Sequence, residues 1–184
     1  MVVKRSVLIS VISVAAVGVF LFIAMSGWFS QRGATAAKDV REDKAPDFIL
    51  PDVQGGKFRL NDQRGKPVLL IFGTTWCPSC RDEIPRLKDI YARYAEKGLI
   101  MVNIDIQESR DKVSRFADKY ELPYRVLLDE NGEVAKTYGI RGVPTLILLD
   151  EEGMIAGGQR FIDQVLAKMF EGKKRSEYKV EGKG

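Results

Sequence analysis

Histidine is absent from this 184-residue chain, and cysteine occurs only twice, at Cys77 and Cys80. A zinc site takes about four Cys or His ligands, so two thiols and no imidazole exclude one. A purely structural disulfide across so short a loop would add little order. The chain also lacks a phosphate-cradling loop, a dinucleotide fingerprint and internal repeats. Its 29 basic and 25 acidic residues leave a net charge of +4. These charges interleave on helical stretches as on a solvated surface, not as a nucleic-acid stripe. No metal, nucleic acid or cofactor is implied beyond the two thiols themselves.

The two cysteines lie in the stretch around which the rest is organised. Val68 to Phe72 is an apolar run of strand length that breaks at Gly73, Thr74 and Thr75, and Ile84, Leu87, Ile90, Tyr91 and Tyr94 follow at helical spacing. Trp76-Cys77-Pro78-Ser79-Cys80 therefore sits where a buried strand becomes a helix. A helix N-terminus offers unpaired N–H groups and partial positive charge, which favour a thiolate, the nucleophile of disulfide exchange. Cys77, nearer the exposed end, is placed to attack a substrate disulfide, and Cys80 to resolve the mixed disulfide. Glu83 lies one helical turn beyond Cys80, so its carboxylate could exchange a proton with that thiol, and its charge would raise nearby thiol pKa values. Pro85 interrupts the helix interior and predicts a kink.

The N-terminal region has a different character. After a short tail, 1–6, the stretch 7–29 contains no charged residue, and a helix of that length spans roughly 35 Å, enough for a bilayer. Ala34-Thr35-Ala36 has the small-residue pattern of a cleavage site. The apolar region nevertheless exceeds the roughly 7–15 residues of a signal core, and Trp28 suits an interface, so the stretch reads as a retained anchor. Basic residues flank it on both sides, and orientation is inferred from the chemistry. A tethered dithiol domain makes most sense facing an oxidising compartment, which puts it outside the cytoplasmic membrane on a single-pass anchor. Residues 30–44 read as a linker and 173–184 as a polar tail.

Between them, 45–172 alternates strands and helices. Ala45 to Leu50 and Gly55 to Leu60 give two short strands joined through Gly55-Gly56, an N-terminal β-hairpin. Leu99 to Ile106 is a second buried strand. Ser109 caps a helix whose apolar face is Val113, Phe116, Ala117 and Tyr120. Val126 to Leu128 is a strand ending in the turn Asp129-Glu130-Asn131-Gly132, and a brief helix to Tyr138 follows. Thr145 to Asp150 and Met154 to Gly158 pair across Glu151-Glu152-Gly153, and the last helix runs from Phe161 to Phe170. The pattern predicts an α/β fold, a central mixed sheet with helices on both faces.

Several of these motifs together resemble a known family. Trp76 to Cys80, Pro85, and Gly142-Val143-Pro144-Thr145 before a strand look like the thioredoxin fold. Ala45-Pro46-Asp47-Phe48, Gly65-Lys66-Pro67-Val68, Glu83, Val102-Asn103-Ile104-Asp105, Tyr138 to Pro144 and Asp150 to Gly153 resemble the membrane-anchored TlpA/ResA-type thiol-disulfide reductases, related to the AhpC/TSA redoxins. The resemblance implies a cis-proline at Pro144 against the active site. Trp76, Pro78, Val143 and Pro144 would form the substrate-binding surface, with Val143 offering backbone groups to a bound strand. Cys77, Cys80 and Glu83 would form the catalytic set. It also implies disulfide-bearing protein substrates outside the cytoplasm, apocytochrome c among them, and re-reduction by a membrane thiol donor.

The chain departs from the pattern in two places. Gly73 stands where many members carry a second aromatic, and Pro78-Ser79 resembles the dipeptide of the cytochrome c maturation thioredoxins. That dipeptide tunes redox potential, so a disulfide-donating oxidant stays open as an alternative. A peroxiredoxin-type peroxidase is the other, echoed by the Ala-Pro-Asp-Phe opening and Thr74-x-x-Cys77. Its motif wants a proline where this chain has Leu70. A copper chaperone of related fold needs a histidine ligand, which is missing.

Overall fold

The computed structural model describes residues 44–170. The expected anchor at 7–29, the tail 1–6, nearly all of the linker and the C-terminal tail lie outside the described residues. Among those described, no helix is long and apolar enough to cross a membrane.

The centre of the fold is β3, Val68–Gly73, every residue of which is buried. Its side chains alternate between two cores, as a strand buried on both faces requires. Val68, Leu70 and Phe72 join one core with Phe48, Leu50, Phe58, Leu60 and Ala135. Leu69 and Ile71 join the other with Leu87, Ile90, Tyr94, Ile162 and Leu166.

Around β3 the sheet has the order β5-β4-β3-β6-β7. The strand β4, Ile100–Ile106, runs parallel to β3, and β5, Arg125–Asp129, runs parallel to β4. On the other side β6, Thr145–Leu149, is antiparallel to β3, and β7, Ile155–Gly158, closes the edge as a hairpin with β6. The helices α1, Pro78–Tyr94, and α4, over 162–170, pack on the Leu69/Ile71 face. There α2, Arg110–Lys119, covers Val126 and Leu128 of β5 through Val113. The opposite face is covered by α3, Glu133–Thr137, and by the antiparallel pair β1, Ile49–Pro51, and β2, Lys57–Arg59.

Ser109 occupies the N-cap of α2 as expected, but its side chain makes no capping bond; its carbonyl accepts from Lys112 and Val113 instead. Pro85 lies inside α1, within the helical span Pro78–Tyr94.

The turn after β5 fixes the approach to the Val143-Pro144 loop. Asp129 is fully buried, and its carboxylate accepts the N–H groups of Val134 at 3.2 Å and Ala135 at 2.8 Å, satisfying two donors at the start of α3. Tyr138, just past α3, packs on Phe48 and Phe72 and donates its hydroxyl to the Pro46 carbonyl at 2.6 Å. Replacing Asp129 with Ala leaves those two donors unpaired. In urea unfolding we expect a loss of about 2 kcal/mol, and Asp129→Asn, which keeps one of the two acceptor oxygens but turns an NH2 toward the other N–H, should lose at least half of that.

Candidate active site

Six of the seven residues singled out from sequence converge at the end of β3. Cys77 is the N-cap of α1, with Pro78 opening the helix. Because the cap residue has extended backbone (φ −76°, ψ 117°), its side chain folds back over the first turn, and its sulfur accepts the Cys80 N–H at 3.3 Å. That amide sets partial positive charge against the attacking sulfur. The Cys77 thiol donates in turn to the Val143 carbonyl at 3.6 Å, and the Val143–Pro144 peptide bond is cis. Both cysteines are free thiols.

The two sulfurs differ in setting. Cys77 is itself buried, but its chain neighbour Trp76 and its hydrogen-bond partner Val143 line a groove of about 530 Å³ together with Ile106, Lys136 and Ile140. Trp76 is 64% exposed, a large apolar surface left in solvent beside a nucleophile. Cys80 faces inward instead. Burial, first, and the neighbouring Cys77 sulfur and Asp105 push its thiol up to about 12, against a smaller opposing contribution from the Thr74 backbone.

Glu83 goes elsewhere. Its carboxylate is ion-paired with Arg86, and Arg86 also reaches Asp163 of α4 at 2.7 Å. The structure thus uses Glu83 in a link between α1 and α4, and it does not line the cavity beside Cys80. Sequence spacing gave the right turn of helix, but Arg86, three residues on, claims the carboxylate.

Two other acids lie beneath the active-site loop. Past the end of β4, Gln107 takes a left-handed φ of 57°, and Glu108 turns under Thr75. Its carboxylate accepts the Thr75 N–H at 2.6 Å and the Thr75 hydroxyl at 2.7 Å, and it is ion-paired with Lys112. Burial would raise Glu108, but hydrogen bonds with Asp105, then Lys112 and Thr75, outweigh it and hold Glu108 below the usual carboxylate range. Asp105 pairs with Gly73 across the strands and is 1% exposed. Burial, then the hydrogen bond and charge of Glu108, push it up to about 9, with Lys112 opposing. Asp105 was visible in sequence only as one letter of a family motif. A carboxylate inside a buried parallel strand whose one other polar residue is Asn103 was the available signal.

The comparisons agree with this geometry. Residues 42–157 match the model of the AhpC/TSA family. The chain is 36% identical over 149 residues to the thiol-disulfide oxidoreductase ResA of Bacillus cereus, covering 81% of this chain and 82% of the relative. It is 31% identical over 152 residues to ResA of Geobacillus thermodenitrificans, covering 83% and 85%. Among solved structures it resembles the thioredoxin domain of a thiol-disulfide oxidoreductase from Bacteroides vulgatus, with 28% identity, a TM-score of 0.60 and coverage of 64% of this chain and 86% of that one. It also resembles StoA from Bacillus subtilis, with 26% identity, a TM-score of 0.55 and coverage of 62% and 87%. A reactive dithiol at a strand-to-helix junction, on a thioredoxin-like sheet and with these relatives, makes the chain a member of the AhpC/TSA family and, within it, of the ResA-type thiol-disulfide oxidoreductases.

Proposed function

We propose that this protein is a membrane-tethered reductase of protein disulfides, acting on the extracytoplasmic side of the cytoplasmic membrane. The observation that carries the reading is the asymmetry of the dithiol: the Cys77 sulfur caps α1, accepts the Cys80 N–H and lies against the cis-proline loop beside exposed Trp76, while Cys80 is held back as a protonated thiol. The Cys77 thiolate attacks a substrate disulfide, forming a Cys77–substrate bond and releasing one substrate thiolate. Cys80 then gives up its proton and attacks the Cys77 sulfur. The Cys77–Cys80 bond forms, the second substrate thiolate leaves, and the substrate has gained two electrons. A membrane thiol donor restores the dithiol.

Trp76, Pro78, Val143 and Pro144 form the face that receives the substrate, with the Val143 backbone available for strand-like pairing. The uncharged stretch 7–29 supports the anchor, 30–44 the tether and 45–172 the catalytic domain. An oxidising compartment supplies the disulfides that such a domain reduces. Apocytochrome c cysteines awaiting haem are the substrate class that the ResA-type resemblance favours.

The first test is the Cys77/Cys80 reduction potential, equilibrated against glutathione or dithiothreitol. We expect a value nearer the roughly −270 mV of thioredoxin than the roughly −120 mV of a strong oxidant. A value at the oxidising end would instead make the protein a disulfide donor.

Partner capture gives a second test. Cys80→Ala removes the resolving thiol, so mixed disulfides on Cys77 are expected to accumulate and to be recoverable from cells. Cys77→Ala should trap none. Equal capture by both variants would count against the assigned order of attack.

A further inference from the structure

Beneath the active-site loop lies a small cavity that the exchange mechanism does not yet use. It has a volume of about 20 Å³ and is lined by Cys80, Thr74, Asn103, Asp105, Tyr124 and Pro144, among others. That is room for about one water molecule. Among the described residues, two buried side-chain oxygens have no hydrogen-bond partner, Thr74 Oγ1 and Asp105 Oδ1. Both belong to residues lining this cavity. Buried polar atoms are rarely left unpaired, and two in one cavity beside a thiol mark a place where a proton or a water belongs.

We propose that Asp105 is the proton donor and acceptor for Cys80, giving its proton to the Cys80 sulfur when the Cys77–Cys80 disulfide is opened and taking one back when the disulfide forms. The assignment rests on the reductase reading of the dithiol. Asp105 is supported from behind by Glu108, whose carboxylate stays ionised because Thr75 and Lys112 hold it. Two carboxyls in contact cannot both ionise cheaply, and the one without a cation keeps the proton. The other titratable groups facing Asp105 are the two cysteines and the Tyr124 phenol. Burial pushes that phenol further up, so it stays neutral.

In the recharging step a donor thiolate attacks the Cys77 sulfur. A donor–Cys77 bond forms and the Cys77–Cys80 bond breaks, with its electron pair moving to Cys80. The Asp105 O–H bond breaks as the Cys80 S–H bond forms, directly or through one water. Negative charge thereby leaves the buried sulfur, whose thiol is pushed up to about 12, for a carboxyl at about 9. In the resolving step an Asp105 that has released its own proton to solvent takes the proton of Cys80 as that sulfur attacks. Asp105 is acid in one direction and base in the other.

The test is the opening of the oxidised full-length chain by dithiothreitol, followed by maleimide trapping across pH. Each rate constant is divided by the fraction of dithiothreitol present as thiolate. For wild type this corrected constant should be level up to about pH 8 and fall near about pH 9, as Asp105 loses its proton. For Asp105→Asn it should be lower by about 100-fold and lack that fall. The first thiol released from an aromatic disulfide by the reduced chain, a step that needs Cys77 alone, should match wild type within about twofold. Superimposable wild-type and Asp105→Asn profiles would overturn the assignment while leaving the exchange reading intact. A wild-type chain that dithiothreitol does not open at all would sink both. Should Asp105→Asn fail to fold, infrared titration of the oxidised wild type decides. A protonated-carboxyl band lost between about pH 7 and about pH 10 is expected, and its absence overturns the proposal.

Discussion

Between the last residue of β3 and the first turn of α1 the chain must leave the sheet, turn, and set a sulfur at the helix N-cap, all within Thr74, Thr75 and Trp76. What holds that turn is the carboxylate of Glu108, which takes both the amide and the hydroxyl of Thr75. Without it the loop would have one fixed end, at β3, and the position of Cys77 over the Val143 carbonyl would depend on helix packing alone. With it, the loop is tied to the end of the neighbouring parallel strand. A charged acceptor is worth roughly twice a neutral one in such bonds, and Lys112 on α2 keeps it charged. The cysteine pair, the cis-proline loop and the groove beside Trp76 take their relative positions from that tie.

Much of this was legible in the sequence. The apolar run Val68 to Phe72 announced a strand buried on both faces, because no polar residue interrupts it. The helical spacing of Ile84, Leu87, Ile90 and Tyr94 located the face of α1 that packs on Leu69 and Ile71. Asp129 to Gly132 read as a turn, and the glycine there does sit in a left-handed conformation, φ 74°. The Gly142 to Thr145 motif pointed to the loop opposite Cys77.

What escaped was the chemistry between elements. Spacing along one helix can suggest that Glu83 meets Cys80, but the choice between Cys80 and Arg86 as its partner depends on rotamers and on where Asp163 of a distant helix arrives. Asp105 and Glu108 lie three residues apart across a turn with an unusual backbone at Gln107, and no periodicity predicts that one would end beneath Thr75 and the other beside Cys80. Thr75 and Glu108 are 33 positions apart in sequence, and only the parallel pairing of β3 with β4 brings the two segments together.

Gly73 decides how much room the inner thiol has. A methyl group built there would touch Asn103 Oδ1 and the Cys80 sulfur, each at 3.6 Å, so alanine fits, while an aromatic ring would occupy the space that now connects Cys80, Asn103 and Asp105. The bare backbone at the end of β3 keeps a polar chamber open inside an apolar sheet. The space beside the resolving sulfur is thus set by a residue with no side chain, and a single enlargement at that position would fill it without altering either cysteine.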